Sequence, residues 1–104
     1  MSEQQIVVDF SKKKQLNESW LRMFGSSVES ILKAMFGGYS VPTTIRGSKS
    51  DITSFAKTIG REKDFLTAAN EYGLTNPLTY RNKFKLERAI IDFERSTGVP
   101  WPLK

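Results

Sequence analysis

The chain has 104 residues, with 16 lysine and arginine residues against 11 aspartate and glutamate residues, and it contains neither histidine nor cysteine. This composition excludes an imidazole general base, a thiol nucleophile, a zinc site built from cysteine and histidine, and a disulfide within the chain. Binding or assembly is therefore expected rather than catalysis, and we predict no enzymatic activity.

The N-terminal part of the chain reads as a short strand followed by a long amphipathic helix. Residues 4–10 are rich in β-branched and aromatic side chains, which favour a strand. Asn17 is a suitable N-cap for a helix over 17–36, and Gly37 and Gly38 are suited to end it. Apolar residues recur in this helix at steps of three and four, which predicts one apolar face. That face contains Trp20, Leu21, Phe24, Val28, Ile31, Leu32 and Met35.

A linker is predicted over residues 39–49, because this stretch contains Pro42 and Gly47 and has no helical periodicity. Within it, Thr43, Thr44 and Ile45 favour a short strand. We place a domain boundary here, between an N-terminal unit of residues 1–38 and a helical domain of residues 50–104.

The sequence pattern predicts about three helices in the second half of the chain. Ser50 or Asp51 is expected to cap the first, which Gly60 interrupts before its apolar period continues to Gly73. A last helix is expected to begin near Thr79 and to stop at Gly98.

After this helix, Pro100 and Pro102 exclude helical structure from the tail, and Trp101 between them is expected to pack back onto the helices. The predicted fold class is therefore mainly α, with a short N-terminal strand and a Pro-Trp-Pro tail.

The apolar face of the helix over 17–36 is larger than a chain of this size easily covers, so it is the first candidate binding surface. It packs against the protein's own helices, or it forms an association face for a homo-oligomer or a larger complex, or it lies on a membrane. The opposite face carries Glu18, Arg22, Glu29 and Lys33, which lack the positive excess of a membrane-surface helix. Association with protein is therefore preferred to a membrane partner.

The second candidate is a basic and aromatic cluster at residues 79–88, where four bases stand against one acid. Alternating bases and aromatic rings are typical of surfaces that bind phosphates and stack on nucleic-acid bases. A solvated helix face would also explain them. The possible nucleic-acid contacts are Tyr80, Arg81, Lys83, Lys85 and Arg88.

No cofactor or metal site is expected. The carboxylates have no spacing that would place two of them on one apolar face or beside a glycine-rich loop. Gly37 and Gly38 are not followed by the lysine and hydroxyl residue of a phosphate-binding loop. The first apolar run, Ile6-Val7-Val8, is too short for a signal peptide, so secretion is not expected.

Groups of residues across most of the chain carry a resemblance to known proteins. These groups are Val8-Asp9-Phe10-Ser11-Lys12-Lys13, Leu16-Asn17-Glu18-Ser19, Met23-Phe24-Gly25, Arg46-Gly47 with Ser50, Ser54-Phe55, Glu62-Lys63, Tyr72-Gly73-Leu74, Pro77, Thr79-Tyr80, Phe93-Glu94, Thr97-Gly98 and Trp101-Pro102. With them the sequence resembles small uncharacterised proteins encoded by tailed bacteriophages. The resemblance implies a virion or assembly component, located in the virion or the host cytoplasm, and it carries over no functional residues.

Overall fold

The computed structural model describes residues 5–104, and its helices confirm the mainly α fold. Two short strands, a 3-10 helix and three long helices follow one another along the chain. Their order is β1 (Ile6–Asp9), the 3-10 helix (Phe10–Gln15), α1 (Glu18–Gly37), β2 (Thr43–Arg46), α2 (Lys49–Tyr72) and α3 (Pro77–Thr97).

The two strands form a parallel pair in which Ile6 lies opposite Thr43 and Asp9 lies opposite Arg46. Parallel strands cannot be joined by a tight turn, so α1 serves as the crossover between them. The strand predicted over 4–10 is confirmed for Ile6–Asp9; Gln4 lies outside the described residues, and Phe10 begins the 3-10 helix. The short strand predicted at 43–45 is confirmed as β2.

α1 has the predicted caps, Asn17 and Gly38, and spans Glu18–Gly37 where 17–36 was predicted. The side chain of Asn17 accepts a hydrogen bond from the backbone N–H of Trp20 at 2.7 Å, which satisfies one free donor of the first turn. At the other end, Gly38 adopts the left-handed conformation that is favourable for glycine.

α2 corrects two details of the sequence prediction. It is one continuous helix through Gly60, so the C-terminal region contains two helices instead of about three. Ile59 and Glu62 are buried on either side of Gly60, and this packing outweighs the ~1 kcal/mol that a glycine costs inside a helix. The N-cap is Ser48, whose hydroxyl accepts the N–H of Asp51, instead of Ser50 or Asp51 itself.

α3 begins earlier than predicted, with Asn76 as its N-cap in place of Thr79. Pro77 follows at the first helical position, where its fixed φ suits the helix and its missing N–H has no consequence. The Thr79 hydroxyl instead donates to the carbonyls of Gly73 at 2.6 Å and Ala68 at 3.3 Å. Thr79 therefore ties the start of α3 to the end of α2.

The core is one hydrophobic cluster to which every helix and both strands contribute. Phe10 has no exposed surface, and its ring centroid lies 5.8 Å from that of Phe24, 5.5 Å from Phe55 and 6.0 Å from Phe93. Trp101 packs back onto the same rings with 2% of its surface exposed, which confirms the prediction for the tail. The predicted units 1–38 and 50–104 thus share one cluster.

Candidate functional site

The apolar face predicted on α1 lies largely against the protein's own core. Its central residues Phe24, Val28 and Leu32 are buried. The remaining members are half-buried and pack at the edge of the same cluster; they are Trp20, Leu21, Ile31 and Met35. Association through this face stays a prediction, and it concerns these four edge residues, since the buried three already contact the interior.

α3 has a second apolar stripe on the side that faces solvent. Tyr80, Phe84 and Ile91 are 57%, 61% and 53% exposed. Their spacing of four and seven residues places them on one side of a helix with 3.6 residues per turn. The opposite side, which includes Leu86 and Phe93, is buried against α2 and the core. We call the exposed stripe, with the bases around it, the outer face of α3.

The four bases predicted as nucleic-acid contacts, Arg81, Lys83, Lys85 and Arg88, are all exposed along α3. Helical geometry places Arg81 and Arg88 within ~20° of one another beside the stripe. The same geometry places Lys83 on its other flank and Lys85 farther round the helix. The guanidinium carbon of Arg88 lies 5.9 Å from the centre of the Phe84 ring, a cation–π arrangement. Arg81, Arg88 and Lys83 therefore flank the stripe, and the acid Glu87 lies on it.

Sequence reasoning missed two residues of this face, Ile91 and Arg95. Both are exposed, and they line a shallow depression on α3 together with Phe84, Arg88 and the acids Glu87 and Asp92. The missed signal was the heptad spacing, since Arg81, Arg88 and Arg95 are each seven residues apart.

Two carboxylates that the sequence left without a role hold the C-terminal tail. Glu62 on α2 accepts the indole N–H of Trp101 at 2.9 Å, and Glu94 on α3 accepts the backbone N–H of Trp101 at 2.8 Å. Burial raises the pKa of Glu62, and the indole hydrogen bond opposes that rise only in part. For Glu94, burial acts in the same direction, but hydrogen bonds from Lys104 and Trp101 lower its pKa overall.

The described residues contain no group of three or more acidic side chains placed to hold a metal ion. Asp51 on α2 is buried, and it pairs with Lys13 at 2.6 Å and so joins α2 to the 3-10 helix. Within residues 5–104, none of the helices has the length and apolar character required to cross a bilayer.

Comparison with models of protein families, with curated proteins and with solved structures finds no match for this chain.

Proposed function

We propose that this protein is a non-enzymatic structural or assembly component of a tailed bacteriophage that self-associates or docks on a larger complex through a helix face. The phage context rests on the resemblance of the sequence. The docking role rests on the outer face of α3, where large apolar side chains are exposed although the core is already complete.

The exposure of Tyr80, Phe84 and Ile91 is the observation that carries the docking role. A helix that only covers a core has polar residues on its solvent side. Here three large apolar side chains lie on the solvent side along about eleven residues, ~16 Å of helix, with Glu87 between Phe84 and Ile91. Exposed large apolar side chains with charges around them are typical of interaction sites. The contact surface is therefore assigned to α3 in preference to the largely buried face of α1.

Nucleic-acid binding is the second candidate, and the bases around the same stripe favour it. Arg81, Lys83, Lys85 and Arg88 can neutralise phosphates, while Tyr80 and Phe84 offer rings on which bases stack. Glu87 is the only acid between Thr79 and Arg88. Such a surface would bind single strands with little sequence preference.

Two double variants of exposed residues separate the candidates. Phe84→Ser with Ile91→Ser removes two of the three apolar side chains of the stripe, and Arg81→Gln with Arg88→Gln removes two bases. For protein association, light scattering of the wild type gives an oligomer, and the apolar variant gives a monomer at all salt concentrations. For nucleic-acid binding, affinity for an oligothymidine falls steeply with salt, and the arginine variant lowers the log–log salt slope by roughly 0.7 per lost phosphate contact.

Lys49→Gln with Lys57→Gln on α2 is the matched control, because it removes the same charge from exposed positions outside the outer face. All variants should keep the melting temperature of the wild type within a few degrees, since the changed side chains are exposed. A wild-type protein that is monomeric at every concentration and binds no oligothymidine at low salt would contradict self-association and nucleic-acid binding.

A further inference from the structure

A groove of about 680 Å³ runs between β1 and α1. Its volume lies within the range of ~300–1,000 Å³ that is usual for binding clefts. Val7 contributes from β1, and Arg22, Met23 and Lys33 contribute from α1. Neither the predicted association face nor the cluster at 79–88 includes this groove.

The groove lies beside a strand that is paired along one edge only. β1 pairs with β2, and Ile6 donates its N–H to the carbonyl of Pro42 at 2.9 Å. Because backbone groups of successive residues in a strand point to opposite edges, the N–H and C=O of Val7 point away from β2. Within residues 5–104 these two groups have no hydrogen-bond partner. β1 therefore has an open edge that can accept another strand.

The charge of the groove selects an acidic occupant. Arg22 and Lys33 line it, and no aspartate or glutamate is among its described lining residues. Two acids lie near these bases on α1 but outside the groove lining: Glu18 is 3.5 Å from Arg22, and Glu29 is one helical turn before Lys33. All four side chains are exposed, so these acids hold the two bases only weakly. The two bases are eleven residues apart on α1, which corresponds to ~16 Å. About five residues of extended chain span the same distance.

Between the two bases the groove is lined by apolar and small polar side chains, the latter being Ser26, Ser27 and Ser30 of α1. Val7 and Met23 both line it and are 45% and 67% exposed. A methionine side chain adapts its shape readily to a bound partner. An occupant with one apolar side chain, small polar side chains beside it and an acidic side chain at each end therefore complements the groove.

We propose that the groove between β1 and α1 binds an extended acidic segment of a partner protein, which adds as a third strand to the open edge of β1. The Val7 N–H and C=O bind its backbone, Arg22 and Lys33 bind its carboxylates, and Val7 with Met23 contact its central apolar side chain. This role is independent of the outer face of α3.

The direct test uses the full chain and a capped peptide, Glu-Thr-Val-Thr-Glu, titrated into the ¹⁵N-labelled protein and followed by NMR. One control peptide replaces both Glu by Lys. A second keeps the sequence but carries N-methylated amides, which cannot donate to a strand edge. We expect the acidic peptide to shift the Val7 amide signal and both control peptides to bind at least about tenfold more weakly.

Two sets of variants test the charge and the strand edge separately. Arg22→Glu with Lys33→Glu should lower the affinity for the acidic peptide at least about tenfold, while Lys49→Glu with Lys57→Glu should leave that affinity unchanged. Val7→Pro removes the N–H that points away from β2 and should abolish binding, whereas Val7→Thr keeps that N–H and should bind. If Val7→Pro does not fold, the N-methylated peptide provides the same test on the wild type.

The proposal is overturned if the acidic peptide does not bind, or if N-methylation and charge reversal leave its affinity unchanged. It is also overturned if β1 pairs with a second copy of the chain, which would appear as a dimer that Val7→Pro dissociates. Stronger binding of an oligothymidine than of the peptide, lost in Arg22→Glu with Lys33→Glu, would assign the groove to nucleic acid instead.

Discussion

At the scale of single residues, two glycines illustrate opposite uses of a missing side chain. Gly47 joins β2 to α2 with a φ of +146°, and a Cβ added there would lie 2.8 Å from the Cβ of Phe10. Gly60 lies inside α2, and a Cβ added there would meet nothing within 4 Å. The first glycine permits close packing on the centre of the core, whereas the second only loosens a helix.

Alanine at these two positions should therefore change stability in opposite directions. Gly60→Ala should raise the free energy of unfolding by about 0.5–1 kcal/mol, since alanine is the better helix former. Gly47→Ala should lower it by about 1–3 kcal/mol, because the backbone becomes strained and Phe10 must move. Urea unfolding of both variants beside the wild type measures the two changes. Destabilisation by Gly60→Ala would contradict the open space around that residue.

Glu62 makes stability depend on pH. Because burial raises its pKa, the folded protein holds this proton more strongly than the unfolded chain does. Its contribution to stability is thus complete below the unfolded pKa and is lost as pH rises through the folded pKa. Glu62→Gln keeps an acceptor for the indole of Trp101 and removes the titration.

We therefore expect the free energy of unfolding of the wild type to fall, relative to Glu62→Gln, as pH rises from about 4 to 7. Urea unfolding at several pH values measures this difference directly. Asp9 acts in the opposite sense, since hydrogen bonds from Ser11 lower its pKa, but it titrates equally in both proteins. A constant difference between the two proteins over this range would show that Glu62 does not titrate differently on folding.

At the scale of elements, the C-terminal tail belongs to the core although it is neither helix nor strand. Trp101 contacts the rings of Phe24, Phe55 and Phe93, whose centroids lie 6.1, 6.1 and 5.2 Å from its own. Its two N–H groups are bound by carboxylates on α2 and α3. The tail thereby holds the two C-terminal helices and α1 together.

Trp101→Ala should lower the free energy of unfolding by about 3–5 kcal/mol, because it opens a cavity where all three helices meet. Trp20→Ala is the matched control. Because Trp20 is half-buried at the edge of the cluster, this substitution should lower the free energy of unfolding by less than Trp101→Ala does. Thermal unfolding followed by circular dichroism compares them. An equal loss of stability in the two variants would mean that the tail is not a central part of the core.

At the scale of the whole molecule, the strand–helix–strand unit and the α2–α3 hairpin complete one another's core. Ile6, Val8 and Phe10 come from the N-terminal segment, while Phe55 and Phe93 come from the hairpin, and all five belong to one cluster. Lys13 and Asp51 add an ion pair across the same contact. Removing either half would expose apolar surface that the other now covers.

A fragment of residues 50–104 therefore tests the predicted domain boundary at 39–49. Because its core residues pack against Phe10 and Phe24, we expect the isolated fragment to lack a cooperative thermal transition. Addition of a fragment of residues 1–49 should restore one. A fragment 50–104 that unfolds cooperatively alone would support two independent domains.

The parts of the fold that the sequence determined by itself depend on contacts within about four residues. Asn17 caps α1 through the N–H of Trp20, and Gly38 and Gly98 end α1 and α3 in left-handed conformations. Apolar spacing also located the segments that form the three long helices, although it divided α2 at Gly60, because period and caps are both local properties. The candidate contacts Tyr80, Arg81, Lys83, Lys85 and Arg88 were found in the same way.

The tertiary structure alone decided which surfaces are free, because burial depends on partners far away in the sequence. The spacing of apolar residues in α1 does not show whether its apolar face is core or interface. Only the packed structure shows that Phe24 is buried by Phe10, Phe55 and Phe93. Likewise, packing on α3 keeps α2 continuous through Gly60. The parallel pairing of β1 with β2 leaves one strand edge open beside α1. Periodicity identifies an apolar face, but only the packed chain shows what covers it.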